Sequence, residues 1–239
     1  MLYLIGTGLN DKGISVEGLE TALKSNKIYL EHYTVDFPYK IEKLENTIGK
    51  RVTLLDRKEV ESDRLVREAK KENICLLIYG SPLFATTHIS LLEEARKQKV
   101  KTKVIYSSSI FDGIAEIGLE LYKFGKISSL PKWQINYEPD SFLDYIEDNL
   151  KINAHSLLLV DIGLNFEKAL EQFEIGIKKR NLSLNKIIVA SNIGSEKPKI
   201  YYGTLNELKT KKLSSPYCFI IPSKMHFIEE ESLKKFIIK

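Results

Sequence analysis

Short apolar runs and helical spacings alternate along the first half of the chain. Residues 2–5, Leu2-Tyr3-Leu4-Ile5, read as a strand, a glycine loop follows, and residues 17–25 place apolar side chains three to four apart, as a helix does. The unit recurs. Strands are predicted over residues 27–30, 51–55, 74–79 and 103–106, and helices over 63–72, 89–97 and 110–122. Residues 74–79 are apolar without a break, the pattern of a parallel strand covered on both faces. Strand, loop and helix in repeating order predict an α/β fold with a mostly parallel sheet.

Between Phe124 and Pro139 the pattern lapses into Gly125, Ser128, Ser129 and Pro131, with Trp133 and Tyr137 interspersed. Such a stretch marks a domain boundary, which predicts an N-terminal α/β domain over 1–124 and a smaller mixed α/β domain over 125–239. In the second, helices are expected over 141–150, 166–180, 205–211 and 229–237, and strands over 156–161, 186–191, 199–202 and 218–221.

With 239 residues and 43% hydrophobic content the chain can bury a substantial core. The charge surplus, 36 − 32 = 4, is scattered and too small to argue for nucleic acid. Apolar runs fall well short of the roughly 20 residues of a membrane-spanning helix. No basic leader precedes the first strand, so a soluble, cytoplasmic protein is expected. Cys75 and Cys218 sit in separate apolar runs, which predicts buried, inert thiols. His32, His88, His155 and His226 are far apart and form no HxxxH pair, so no metal site is expected.

Three loops could carry chemistry. Gly6-Thr7-Gly8-Leu9 leaves the first strand, where backbone N–H groups can meet a ligand, or where a tight turn needs no ligand at all. It is neither GxGxxG, since Asp11 stands at the third glycine, nor a P-loop, and so argues against NAD and ATP. Gly80-Ser81-Pro82-Leu83-Phe84-Ala85-Thr86-Thr87-His88 leaves the most apolar strand with hydroxyls that can cap a helix or hold a polar small molecule. Ser107-Ser108-Ser109-Ile110 ends the fifth strand. Asp161 closes a strand of the second half, and Glu229-Glu230-Glu231 reads as a solvated helix start. Gly-x-Ser-x-Gly is absent and no acid, histidine and serine set can be assembled, so no catalytic residue is assigned.

The segments Leu4-Ile5-Gly6-Thr7-Gly8-Leu9, Ile14-Ser15-Val16-Glu17-Gly18-Leu19-Glu20, Tyr29-Leu30-Glu31-His32-Tyr33-Thr34 and Pro82 to His88 resemble the diphthine synthase family. The likeness continues through Ser109-Ile110, Leu121-Tyr122-Lys123-Phe124-Gly125-Lys126, His155 to Ile162 and Ile221-Pro222-Ser223-Lys224-Met225-His226, and so covers nearly the whole chain. It implies a methyltransferase built as two α/β domains of the tetrapyrrole methylase type, a homodimer, with S-adenosylmethionine in the cleft between the domains. It implies cofactor contacts at Leu9, Ser81, Phe84, Ser109, Ile110, Val160, Ile193 and Tyr217, and translation elongation factor 2 as the protein substrate, trimethylated on the amine of its modified histidine during diphthamide biosynthesis. Alternatives on the same fold are a methyltransferase acting on a tetrapyrrole or other small molecule, and a non-catalytic nucleotide-binding or scaffold protein. The chain departs from the family pattern at Ser81, where Gly-Asp-Pro is usual, at Asn192, where an arginine is usual, and at Ser223, where a glycine is usual.

Overall fold

The computed structural model describes residues 1–238. Its contacts divide the chain into two compact units, Met1–Asp112 and Gly113–Lys239, the final residue lying outside the described range. The division falls ahead of the expected position at Phe124. The reason is local: His155 donates its backbone N–H to Lys123 O at 2.9 Å, and Gly125 donates to His155 O at 2.9 Å, which lays residues 123–125 along a strand of the second unit.

In the first unit five strands, β1 (Leu2–Gly6), β2 (Lys27–Glu31), β3 (Thr53–Leu55), β4 (Ile74–Ile78) and β5 (Thr102–Ile105), form one sheet in the order β3-β2-β4-β1-β5. Every pairing is parallel. β4 is buried along its whole length, as its unbroken apolar run requires of a strand covered on both faces. Leu4 and Leu76 pack in one layer of core, Ile5 and Leu77 in the other, the alternation expected of period-2 strands. Helix Ile89–Lys97 lies where its spacing predicts. Helix Ile41–Ile48 has no counterpart among the predicted elements. The helix expected over 110–122 is instead one turn, Ile110–Gly113, followed by 3-10 turns at Ile114–Ile117 and Leu121–Lys123. Gly118, at φ +92, ends the second of these pieces, because that backbone conformation cannot continue a right-handed helix.

The second unit carries β6 (Ser128–Leu130), β7 (Ser156–Val160), β8 (Ile187–Ser191), β9 (Lys199–Gly203) and β10 (Tyr217–Ile221) in the order β6-β7-β10-β8-β9. The sheet is mixed: β6 and β7 are parallel, and the other pairs antiparallel. β6 falls within the stretch read as a lapse in pattern. Helix Phe166–Lys179 covers one face, started by Asn165, whose side chain accepts from Lys168 N–H. Phe166, Phe173 and Phe219 form the aromatic centre of this core, with Phe173 and Phe219 at 5.5 Å. No helix among the described residues is long and apolar enough to cross a membrane.

Candidate functional site

All five strands of the first sheet are parallel, so their carboxyl ends lie on one edge, and the three loops singled out above leave β1, β4 and β5 on that edge. They are tied together. Gly8 and Gly80 exchange backbone hydrogen bonds, Gly8 N–H to Gly80 O at 3.2 Å and Gly80 N–H to Gly8 O at 3.0 Å. Ser107 Oγ donates to Gly13 O at 2.8 Å, and Tyr79 Oη donates to Leu9 O at 3.0 Å. Gly80 sits at φ +73, and a Cβ there would meet nothing nearer than Ser108 O at 3.8 Å. The backbone at this turn is therefore bare on a side where a ligand can approach it.

Each predicted residue of this edge has a defined setting. Leu9 is buried. Ser81 is half-buried, and its backbone carbonyl accepts from Phe84 N–H at 3.3 Å. The Phe84 ring stacks against Phe111 at 6.2 Å, joining the loop after β4 to the loop after β5. Ser109 donates its N–H and its hydroxyl to the Asp112 carboxylate at 2.6 and 2.9 Å, which fixes the backbone as Ile110 begins the helical turn.

In the second unit β10 runs antiparallel to both β7 and β8, so the end of β7, the end of β8 and the start of β10 share an edge. Val160, Ile193 and Tyr217 all lie there. Tyr217 pairs with Ser191 and stands one step beyond the Cys218–Leu159 pair, which places it across from Val160. Its hydroxyl donates to Leu164 O at 2.8 Å. Asn192, at φ +54, donates its N–H to Pro216 O at 2.9 Å and its side-chain amide to Ser214 Oγ at 3.0 Å. Its Oδ1 is buried without a partner among the described residues. A buried acceptor left open is costly unless something donates to it, so this edge also offers a polar contact to a small molecule. The bare backbone at Gly80 in the first unit and the open acceptor on Asn192 in the second are each available to a polar small molecule.

Other motif segments meet elsewhere in the second unit. Glu229, expected in solvent, is fully buried. Its carboxylate accepts from Glu120 N–H at 3.0 Å, His155 Nε2 at 3.0 Å, His226 N–H at 2.7 Å and the Lys123 ammonium. Burial opposes its ionisation, but these donors outweigh burial and hold the carboxyl at about 2. His155 accepts from Ser223 N–H on Nδ1 at 2.9 Å, so the proton is on Nε2, facing the carboxylate. Burial lowers the pKa of this imidazole. The family-like segments around Lys123, His155 and His226 thus converge on one carboxylate. The triple-Glu run hid it, because a capping residue and a solvated one look alike in sequence. Gly125 belongs to the same region: a Cβ there would stand 2.1 Å from Asn149 Oδ1, the acceptor for Lys126 N–H.

Among the described residues no group of histidine, cysteine or acidic side chains could hold a metal ion. Both cysteines are buried and unpaired, and burial pushes each thiol up to about 12.

The profile of the tetrapyrrole (corrin/porphyrin) methylases matches residues 1–209. The diphthine synthase of Methanococcus aeolicus is 38% identical over 98% of this chain and 97% of its own length. The chain belongs to the tetrapyrrole methylases and, within them, to the diphthine synthases. The diphthine methyl ester synthase of Schizosaccharomyces pombe is 34% identical, covering 100% of this chain and 95% of that protein. A crystal structure of diphthine synthase superposes with a TM-score of 0.90 at 31% identity, covering 99% of this chain and 95% of that one. The two-sheet α/β architecture expected from the sequence is the family fold, and the chain is a methyltransferase of the diphthine synthase family.

Proposed function

We propose that the chain transfers methyl groups from S-adenosylmethionine to the amine of the 3-amino-3-carboxypropyl group borne by a histidine of translation elongation factor 2, a step of diphthamide biosynthesis. The observation that carries this reading is the end-to-end likeness to diphthine synthases. In this reading Leu9, Ser81, Phe84, Ser109 and Ile110 of the first edge and Val160, Ile193 and Tyr217 of the second contact the cofactor. S-adenosylmethionine supplies an electrophilic methyl on a sulfonium. The backbone bared at Gly80 in the first unit and the open Asn192 acceptor in the second are groups such a ligand can meet.

Chemistry at the acceptor needs little help. An α-amino group with pKa near 8 is roughly one-tenth neutral at pH 7, so deprotonation costs only about 1.4 kcal/mol. Alignment of two reactants contributes about 7 to 11 kcal/mol. Positioning therefore dominates, which accords with a site edge built from loops pinned to one another. A homodimer in the cytoplasm completes the reading.

The S. pombe relative's name, diphthine methyl ester synthase, favours a second product in which a carboxyl is methylated as well. Mass spectrometry of elongation factor 2 carrying the unmethylated intermediate, before and after mild base, separates the two. Three stepwise base-stable methyl gains support amine trimethylation, and an added base-labile gain supports the ester. No gain despite cofactor binding would overturn the reading in favour of a tetrapyrrole or other small-molecule acceptor.

A further inference from the structure

We propose that His88 is a positioning residue for the cofactor turn at 81–84, acting through the hydrogen bond from its Nδ1–H to the Pro82 carbonyl. The inference rests on the proposed cofactor contacts at Ser81 and Phe84. It concerns a side chain that touches neither cofactor nor substrate in that reading.

His88 is 1% exposed, and its ring packs edge-on to Tyr33 with centroids 6.4 Å apart. Nδ1 lies 3.2 Å from Pro82 O. A carbonyl oxygen only accepts, so Nδ1 carries the proton. The ring is held neutral: burial lowers its pKa, against the opposing pull of Glu31 and Glu61. Its other nitrogen, Nε2, is then a bare lone pair, and it makes no hydrogen bond among the described residues. The opposite tautomer would set two lone pairs against each other across the same gap. Among the described residues the bond to Pro82 is the one hydrogen bond of the His88 ring, and it selects one protonation form and one ring orientation.

What that bond holds is a turn with few restraints of its own. Pro82 has no N–H to donate. Phe84 N–H reaches Ser81 O at 3.3 Å, and Ala85 adopts φ +54, a left-handed backbone that costs a residue with a Cβ. Thr86 Oγ1, at 3.1 Å, joins His88 on the Pro82 carbonyl. His88 itself is anchored by the helix that follows, since Leu91 N–H donates to His88 O at 3.1 Å. The ring thus transmits the position of helix Ile89–Lys97 to the peptide between Ser81 and Phe84.

The test uses the full chain carrying His88→Asn, His88→Gln or His88→Leu, with S-adenosylhomocysteine affinity by calorimetry, separate KM values for S-adenosylmethionine and elongation factor 2, and melting curves. An asparagine amide reaches the place of Nδ1 and a glutamine amide the place of Nε2, so the pair separates the two nitrogens. The expected result is at least about tenfold weaker S-adenosylhomocysteine binding in His88→Leu, with the elongation factor KM within about twofold of wild type. His88→Asn should recover to within about threefold of wild type, and His88→Gln should not. Unchanged affinity in His88→Leu would overturn the proposal, as would equal losses in the asparagine and glutamine variants. If His88→Leu does not fold, the asparagine and glutamine comparison decides. A wild-type chain that binds no S-adenosylhomocysteine would instead sink the functional reading on which the proposal rests.

Discussion

Replacing Glu229 by glutamine keeps the shape of the side chain and removes its charge. The carboxylate has four donors, two on Oε1 from Glu120 N–H and His155 Nε2, and two on Oε2 from His226 N–H and Lys123. Glutamine retains one acceptor oxygen and turns an NH2 group toward the other two donors. At a side chain only 1% exposed, deleting one partner of a buried ion pair costs about 3 to 5 kcal/mol. At roughly 2 to 4 °C per kcal/mol for a chain of this size, the melting temperature should fall by about 6 to 20 °C. Trp133 is the one tryptophan of the chain and lies in the second unit, so its fluorescence follows the part of the protein where the change is made. The effect also carries a pH signature. The carboxyl is held at about 2 in the folded chain against 4.5 as its ordinary value. A depressed carboxyl pKa contributes stability that is fully present above about pH 4.5 and is lost as pH falls toward 2. With 1.36 kcal/mol per pKa unit, and allowing for screening beside the partly exposed Lys123, that contribution is roughly 2 to 3 kcal/mol. The gap between wild type and Glu229→Gln should therefore narrow by that amount across the window. A variant melting within about 2 °C of wild type at pH 7, or a gap that stays constant between pH 5 and 3, would refute the reasoning.

Two further outcomes follow from the core. Phe219→Ala removes a ring packed against Phe166, Phe173 and Tyr217, and should cost about 3 to 5 kcal/mol in urea unfolding; a loss under about 1 kcal/mol would contradict the packing. Cys75 and Cys218, with thiols pushed up to about 12 by burial, should resist a thiol reagent at pH 8 in the native chain and react in urea, so rapid native labelling would show that one of them is accessible.

How far the fold was readable from sequence depended on the range over which its causes act. Helix Ile89–Lys97 and the strand Ile74–Ile78 declare themselves through periodicity, because burial on one face or on both is written into neighbouring residues. Helix Ile41–Ile48 escaped, although Gly49 just beyond it, at φ +75, is a usual C-terminal signal; its N-terminus, at Lys40, has no side-chain cap to announce it. The spacing over 110–122 is apolar in the helical pattern, but Gly118 at φ +92 interrupts it. β6 is three residues long and is set by pairing with β7, a contact invisible to local pattern. The loops after β1, β4 and β5 were identifiable as site elements because each is a glycine- or hydroxyl-rich exit from a strand. The buried carboxylate of Glu229 was not, since its Glu120 donor lies 109 residues away in the chain.

In the proposed function the cofactor contacts fall on the loops after β1, β4 and β5 of the first unit and, in the second unit, on those after β7 and β8 and before β10. Amide hydrogen exchange with and without S-adenosylhomocysteine measures this directly. Protection should appear in residues 8–10, 81–88 and 107–111 of the first unit and in 160–164, 191–194 and 216–218 of the second. Protection confined to other segments, or to neither set at saturating ligand, would contradict it.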